Sequence, residues 1–280
     1  MESVFANSYA KINLFLYVTD KREDGYHNIY SLFSKINLYD TIKVEKANKF
    51  QIICNNEKIP VDRRNFIYKV YEKLREYFQK EFPVKVYLNK RIPIEAGLGG
   101  GSSNCAIFLK LMNKLFNLNL SLNDMVQVLA KVSADAPSFL WDKGVLAEGI
   151  GDKIVATIDL PKSYILLVKP NFGVSTRQVY NNKNLKLTTK PHITNIHSLS
   201  NLNVLCELMY NSLEKPVFGN NKELIFIKKM MTEYGAVKSL MSGSGSTIFG
   251  IFNSKKSLDN AYKYFKAVNK SYFVYKTNII

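Results

Sequence analysis

A glycine-rich segment at residues 93–104 constrains the fold of this chain more than any other part of the sequence. Four glycines stand within five positions, at 97 and 99–101, and Ser102, Ser103 and Asn104 follow them directly. Residues 84–88 before the segment alternate as a strand does, and the apolar residues after it recur at helical spacing. The segment is therefore predicted to connect a strand to the first turn of a helix.

Glycines at the start of a helix predict a phosphate site. Glycine lets the backbone approach a ligand closely and adopt a positive φ without strain. The helix start adds unpaired N–H groups and the positive end of the helix dipole. The alternative is a flexible turn in which Ser102 is an ordinary N-cap. The predicted phosphate-binding segment consists of Pro93, Ile94, Glu95, Ala96, Gly97, Leu98, Gly99, Gly100, Gly101, Ser102 and Ser103.

The pattern differs from three common nucleotide-binding motifs. It is not a Walker A loop, because no Gly-Lys-Ser/Thr follows the glycines. It is not the dinucleotide fingerprint, because Ser102 stands where the third glycine belongs. The chain also contains neither His-Arg-Asp nor Asp-Phe-Gly, which argues against a protein kinase.

Composition places the chain among globular proteins with one large or two smaller domains. It has 280 residues, of which 46% are hydrophobic and 22% charged. No stretch of 18 apolar residues occurs, so no membrane-spanning helix is predicted. The N-terminal residues lack the charged and apolar regions of a signal peptide. The three cysteines show no C-x-x-C spacing, which argues against a disulfide framework and a zinc site. We therefore expect a cytoplasmic location.

The net charge of +16 leaves two interpretations open. One is a surface that binds nucleic acid. The other is a solvated, lysine-rich surface that favours anionic ligands in general. The lysines are scattered, and no block of five basic residues occurs, which favours the second interpretation. We expect neither a nucleic acid nor a membrane as a partner.

Hydrophobic periodicity predicts an α+β chain. The pattern changes character near residue 157, which predicts two domains, residues 1–157 and 158–280. Ser121 and Asp124 form a capping box that opens a helix, and Pro137 predicts either the end of that helix or the beginning of another. Further predicted elements are strands at 8–18, 41–45, 50–54, 84–88, 164–168, 237–241, 247–252 and 272–275, and helices at 65–77, 199–210, 223–233 and 258–265.

Five segments occur in a fixed order along nearly the whole chain. They are residues 10–16 (Ala-Lys-Ile-Asn-Leu-Phe-Leu), 22–27 (Arg-Glu-Asp-Gly-Tyr-His), the glycine-rich segment, 134–137 (Ala-Asp-Ala-Pro) and 242–246 (Ser-Gly-Ser-Gly-Ser). In this order they resemble the GHMP small-molecule kinases. The Lys-Ile-Asn and Asp-Gly-Tyr-His segments resemble the branch of that family whose acceptor is a cytidine-diphosphate-linked methylerythritol.

The resemblance implies an α+β, two-domain GHMP kinase architecture. Its first domain resembles the second domain of ribosomal protein S5, and its second domain is ferredoxin-like. ATP is the implied co-substrate, bound by the glycine-rich segment, and the acceptor is the 2-hydroxyl of the polyol in the non-mevalonate route to isoprenoid precursors. We expect Mg²⁺ to be held by nucleotide phosphates, water and few protein oxygens, because no acidic pair with metal-ligand spacing occurs. No metal ligand is assigned.

Two charged residues acquire catalytic roles through the resemblance. Lys11 is the implied cation beside the acceptor hydroxyl and the transferring phosphoryl group, and the alternative is an edge-strand lysine that faces solvent. Asp135 is the implied carboxylate that accepts the hydroxyl proton, as carboxylates do in other kinases, and the alternative is an ordinary cap. Asn13 lies two residues after Lys11 and therefore on the same strand face, where it would bind substrate.

Three side chains are implied to bind the cytosine base. Tyr26 would stack on the ring and His27 would hydrogen-bond its edge, with Tyr180 stacking on the other side. The alternative for Tyr26 and His27 is a turn aromatic and a surface imidazole after Asp24-Gly25. The loop that would close over the phosphates contains Ser242, Gly243, Ser244 and Gly245, and its alternative is a plain hairpin turn.

The chain departs from the family pattern at two positions. Cys105 stands where alanine is expected, and Ser133 stands where glycine often precedes Ala-Asp. Neither change removes a charged or phosphate-contacting group. Two rival functions remain: another GHMP kinase of homoserine or mevalonate type, whose substrate has no base to stack, and a basic nucleic-acid-binding module.

Overall fold

The computed structural model describes residues 2–280. The chain packs as two compact units, each assembled from three stretches. The first unit contains residues 2–10, Leu38–Ile92 and Gly99–Trp141. The second unit contains Lys11–Asn37, Pro93–Leu98 and Asp142–Ile280. The domain boundary at residue 157 stays a prediction.

Runs of strands and runs of helices follow one another along the described chain. The strands are β1 (Ser3–Lys21), β2 (His27–Lys46), β3 (Gln51–Cys54), β4 (Val84–Asn89), β5 (Gly144–Glu148), β6 (Lys153–Ile158), β7 (Tyr164–Lys169), β8 (Lys238–Met241), β9 (Ile248–Phe252) and β10 (Phe273–Asn278). The helices are α1 (Phe66–Phe78), α2 (Gly100–Phe116), α3 (Leu122–Ala130), α4 (Thr176–Tyr180), α5 (Leu202–Leu208), α6 (Glu214–Phe218), α7 (Lys222–Glu233) and α8 (Lys255–Val268). Short 3-10 helices cover Ala136–Leu140 and Ile196–Ser200.

The sheet of the first unit contains β3, β4 and the C-terminal part of β2. Strand β4 pairs antiparallel with β2, with Thr41 opposite Asn89, and parallel with β3. Val84, Val86 and Leu88 alternate along β4 and are buried, so one face of the strand is apolar. These residues share one hydrophobic core with α1 and α2.

Helix α2 carries the glycine-rich segment into this core. It begins eleven positions after the end of β4 and is buried along most of its length. The predicted connection from a strand through the glycines to a helix is confirmed. The capping box of α3 is also confirmed, since Ser121 and Asp124 hydrogen-bond each other's backbone N–H. Pro137 lies in the first turn of the next, 3-10, helix.

The second unit contains a four-stranded antiparallel sheet in the order β10-β7-β9-β8. Helices connect β7 to β8, and α8 connects β9 to β10, so the chain follows the βαββαβ order of a ferredoxin-like fold. In the same unit, β5 pairs antiparallel with the N-terminal part of β2 and with β6. The α+β fold class is confirmed. No helix within residues 2–280 has the length and apolar character needed to cross a membrane.

Candidate active site

Gly99 caps the N-terminus of α2 in a conformation that favours glycine. Its φ is 66° and its ψ is 18°, in the left-handed region. The Gly99 carbonyl accepts the first helical hydrogen bond, from Ser103 N at 2.9 Å. Ser102 is therefore inside the helix and does not cap it. The N–H groups of this first turn have no intrahelical acceptor, which makes the turn suited to an anion.

Asp40 fixes the chain on both sides of the glycine-rich segment. This fully buried carboxylate accepts hydrogen bonds at Oδ1 from Arg91 N at 2.7 Å and from Ile92 N at 2.9 Å. Its Oδ2 accepts from Asn104 Nδ2 at 2.9 Å and pairs with the Lys90 ammonium. One side chain thus holds the approach to the loop and the first turn of α2. Sequence reasoning missed Asp40 because it lies more than 50 positions before the loop.

Hydroxyl groups complete this network. Ser8 accepts from Asn104 Nδ2 at 2.9 Å and donates to Ser103 Oγ at 2.7 Å. Ser102 Oγ lies 2.8 Å from Ser133 Oγ, so the serine that replaces the expected glycine hydrogen-bonds the helix start. Cys105 is buried in the core, and burial raises the pKa of its thiol to about 12. This thiol is a structural group.

Lys11 is a buried cation in the second unit. Its side chain is only 4% exposed, which excludes the alternative of a solvent-facing edge lysine. The ammonium donates to Asn13 Oδ1 at 2.6 Å and lies 5.3 Å from the centre of the Phe33 ring. Asn13 Nδ2 donates in turn to Ser31 Oγ at 2.9 Å. Lys11 and Asn13 thus share one strand face, as predicted.

The second unit brings the predicted loops together. Ser242 Oγ donates to Gly97 O at 2.9 Å, and Thr247 N donates to Ala96 O at 3.3 Å. Lys11 N donates to Leu98 O at 3.0 Å. The start of the glycine-rich segment therefore lies between Lys11 of strand β1 and the Ser242–Ser246 loop.

Gly243 lies directly against the hydrogen-bonded side chains of Lys11 and Asn13. A Cβ atom at this position would stand 3.4 Å from Lys11 Nζ and 3.3 Å from Asn13 Oδ1. Its φ of 54° also falls in the left-handed region. The loop between β8 and β9 is therefore more than a plain hairpin turn, because its backbone is packed against a buried cation.

His27 and Tyr180 form an aromatic pair. Their ring centroids are 5.5 Å apart at an interplanar angle of 34°. His27 is 9% exposed, and its Nδ1 has no hydrogen-bond partner among the described residues. Burial lowers the pKa of His27, and the positive charge of Lys21 lowers that pKa further. The imidazole is therefore neutral at pH 7, when Nδ1 can either donate or accept one hydrogen bond.

The turn before His27 leaves an aromatic ring in solvent. Tyr26 is 60% exposed. Asp24 Oδ1 accepts from Tyr26 N at 3.0 Å, and the same carboxylate pairs with Arg22 at 2.7 Å. Gly25 supplies the positive φ of 84° that this turn requires. The turn thus holds Tyr26 in place without covering its ring.

Helix α4, which carries Tyr180, is joined to the Ser242–Ser246 loop. Thr176 Oγ1 lies 2.7 Å from Ser244 Oγ. Shortly before the helix, Phe172 O accepts from Ser246 Oγ at 2.6 Å. The loop that is predicted to close over the phosphates therefore also anchors the helix that carries Tyr180, through its serine hydroxyl groups.

Asp135 belongs to the first unit and immediately precedes the 3-10 helix at Ala136–Leu140. Its backbone carbonyl accepts from Ser138 Oγ at 2.7 Å. Its side chain makes no capping hydrogen bond to that helix within the described chain, so the cap alternative does not account for an aspartate here. Its joint action with Lys11 stays a prediction. Residues 2–280 contain no cluster of three or more His, Cys, Asp or Glu arranged to hold a metal ion.

Comparison with known proteins defines the class. Residues 65–143 match the family described as GHMP kinases N terminal domain, and residues 193–271 match GHMP kinases C terminal. Among solved structures, a homoserine kinase from Cytophaga hutchinsonii superposes with a TM-score of 0.75 at 18% identity, covering 100% of this chain and 95% of that one. The two family models together cover more than half of the chain, which therefore belongs to the GHMP kinases, and the structural likeness agrees with this fold.

More similar relatives specify the branch. A 4-diphosphocytidyl-2-C-methyl-D-erythritol kinase of Syntrophus aciditrophicus is 38% identical over 255 residues, 91% of each chain. One of Clostridium botulinum is 37% identical over 279 residues, covering 98% of this chain and 100% of the relative. A crystal structure of 4-(cytidine 5'-diphospho)-2C-methyl-D-erythritol kinase superposes with a TM-score of 0.81 at 29% identity, covering 99% of this chain and 100% of that one. The chain belongs to the family of 4-diphosphocytidyl-2-C-methyl-D-erythritol kinases.

Proposed function

We propose that this protein transfers the γ-phosphoryl group of ATP to the 2-hydroxyl of 4-diphosphocytidyl-2-C-methyl-D-erythritol. The products are the 2-phosphate and ADP, within the non-mevalonate synthesis of isoprenoid precursors. Support comes from relatives that carry this name and align over nearly the full chain. The unit that contains Lys11 also contains the candidate base-binding residues.

ATP binding is assigned to residues 93–103. The left-handed Gly99 cap and the open first turn of α2 suit the phosphates. The Ser242–Ser246 loop, which hydrogen-bonds Gly97, would supply further N–H donors to them. We assign Mg²⁺ to the phosphate oxygens and water with few protein oxygens, which suits an ion that retains much of its hydration. When bound, the ion would neutralise phosphate charge.

Phosphoryl transfer needs positioning and charge stabilisation more than covalent chemistry by the protein. The acceptor oxygen forms a bond to the γ-phosphorus while the bond from that phosphorus to the β–γ bridging oxygen breaks. Lys11 stabilises the charge on the equatorial oxygens and is itself oriented by Asn13. Asp135 orients the hydroxyl and takes its proton, which leaves late in a loose transition state.

The observation that carries the choice of substrate is the buried Nδ1 of His27. Leaving a buried polar nitrogen without a hydrogen bond costs about 1–3 kcal/mol, so a ligand that supplies the partner is favoured. The Watson–Crick edge of cytosine presents both a donor and acceptors, and the neutral imidazole can pair with either. Tyr26 and Tyr180 would provide aromatic faces for the base. Homoserine and mevalonate offer no ring to stack.

Location and partners follow from the same chemistry. Cys54, Cys105 and Cys206 are thiols and form no disulfide, which supports a reducing cytoplasm. Both proposed partners, ATP and the cytidine substrate, are small anionic molecules. The charge of +16 favours their approach, so this charge does not require a nucleic-acid partner.

The test is a coupled assay of ADP release with three acceptors. The cytidine substrate should support turnover, whereas homoserine and mevalonate should not. Turnover restricted to homoserine or mevalonate would assign the chain to another GHMP activity. No ATP turnover, together with polynucleotide binding that falls steeply with salt, would favour the nucleic-acid alternative.

A further inference from the structure

A buried asparagine lies under the Ser242–Ser246 loop and has no role in the chemistry above. Asn211 stands between α5 and α6 and is 2% exposed. Its Nδ2 donates to two backbone carbonyls, Met241 O at 2.7 Å and Gly243 O at 2.8 Å. Its Oδ1 accepts from Leu213 N at 2.9 Å. Both amide hydrogens and the amide oxygen are thus used.

The segment around Asn211 is anchored to the strand that carries Lys11. Leu16 N donates to Tyr210 O at 2.8 Å, and Ser212 N donates to Leu16 O at 2.9 Å. Nearby, Glu214 Oε1 accepts from Met241 N at 2.8 Å while Oε2 pairs with Lys228 at 2.5 Å. The loop and strand β1 are therefore held by one short segment.

We infer that Asn211 is a positioning residue, which sets the Ser242–Ser246 loop against Lys11 and Asn13 for phosphoryl transfer. This inference rests on the proposed function. The carbonyls of Met241 and Gly243 belong to residues two apart, and Gly243 has a positive φ. Only a side chain with two N–H donors on one nitrogen satisfies both carbonyls at once. A serine supplies one donor, and an ionised aspartate supplies none.

Holding the Gly243 carbonyl also orients the next N–H group. In a trans peptide the C=O and N–H bonds point in opposite directions. When Gly243 O faces Asn211, the N–H of Ser244 must therefore face away from Asn211. The same contact keeps Gly243 against Lys11 and Asn13. A Cβ atom added to Gly243 would stand 3.4 Å from Lys11 Nζ. Asn211 thus preorganises both a donor and the cation.

The test compares Asn211→Asp with Asn203→Asp, an equal charge change on the exposed face of α5. Asn211→Asp should lower kcat about 10²-fold, a larger factor than any rise in the KM for the cytidine substrate, because Asn211 hydrogen-bonds the loop backbone. Asn203→Asp should keep wild-type kcat. Protonation would restore one donor to the new aspartate, whose pKa should be raised by burial beside two carbonyls. The ratio of variant to wild-type kcat should therefore rise from about pH 8 to about pH 6.

Hydrogen exchange without substrates provides an independent readout. The amides of residues 242–247 should exchange about 10-fold faster in Asn211→Asp than in the wild type. Should that variant fail to fold, Asn211→Ser gives the same test, with kcat between those of wild type and Asn211→Ala. Unchanged kcat and exchange in the folded variants would overturn the inference. If the wild-type protein did not turn over the cytidine substrate, the proposed function would be overturned instead. The exchange result would then still test the role of Asn211 in holding the loop.

Discussion

Gly97 and Ser242 approach so closely that no side chain fits between them. A Cβ atom on Gly97 would stand 2.0 Å from the carbonyl oxygen of Ser242, far inside any van der Waals contact. The Ser242 hydroxyl meanwhile donates to Gly97 O at 2.9 Å. The contact between these two loops, which are remote in sequence, therefore requires a glycine at position 97, both for space and for its φ of 71°.

Gly97→Ala should separate the two loops and thereby weaken ATP binding and turnover together. Gly235→Ala is the matched control, because Gly235 has a similar φ of 88° but would meet only the Ser257 side chain, at 3.3 Å. Both variants should lose about 1 kcal/mol of stability from backbone strain, and Gly97→Ala should lose more because its Cβ would overlap the carbonyl oxygen of Ser242. Calorimetric titration with ATP should then show weaker binding for Gly97→Ala alone. Equal ATP affinity in both variants would contradict the role of this contact.

Tyr26→Ala should raise the KM for the cytidine substrate and leave ATP affinity near that of the wild type. Loss of base stacking is worth about 1–3 kcal/mol, which corresponds to roughly 5- to 150-fold. Tyr77→Ala removes a ring of similar exposure, 58%, and should change neither constant. Steady-state kinetics at saturating ATP measures the effect. An unaltered KM in Tyr26→Ala would remove the cytosine assignment.

The pKa of His27 predicts a pH dependence of stability. Burial lowers this pKa below the ordinary 6.5, so the unfolded chain binds a proton in a range where the folded chain does not. The free energy of unfolding should therefore rise with pH from the lowered pKa up to about 6.5 and gain nothing from His27 above it. Urea unfolding at several pH values should show a smaller rise in His27→Gln. An identical pH profile in the two proteins would show that His27 is not buried in neutral form.

Asp135→Asn and Lys11→Met should each lower kcat strongly and substrate binding less. Loss of a general base typically costs about 10²–10⁴-fold, and we expect the Asp135 effect in that range. Residues that act as one unit give a double variant little worse than the worse single variant. Asp159→Asn, which alters an exposed aspartate paired with Lys143, is the control and should remain active. Multiplied losses in the double variant would mean that the two residues act independently.

The sequence predicted the elements whose patterns are local. The helix after the glycines, the capping box of α3 and the four strands of the ferredoxin-like sheet all follow from apolar periodicity or side-chain caps. The first half of β2 and strand β5 were missed. Both are buried on the two faces for most of their length, so neither shows the alternation that marks a half-exposed strand. Strand β6 was missed as well, because the pattern near residue 157 was interpreted only as a domain boundary.

The candidate site divides in the same way. Short motifs in the sequence led to the prediction that Lys11, Asn13, His27 and the two loops belong to the site. Asp40 and Asn211 were not, since each is a single polar residue that acts on backbone groups remote along the chain. Only the three-dimensional structure shows which carbonyl or N–H group such a residue satisfies.

The most direct test of the central claim is the position of the new phosphate in the product. Proton-coupled phosphorus NMR of the product formed from ATP and 4-diphosphocytidyl-2-C-methyl-D-erythritol distinguishes the hydroxyl groups. The carbon at position 2 bears no hydrogen, so its phosphate monoester should appear as a signal without three-bond coupling to a proton. A doublet or triplet would place the phosphate on a secondary or primary hydroxyl, and absence of a monoester signal would mean no transfer. Either result would contradict the proposed function.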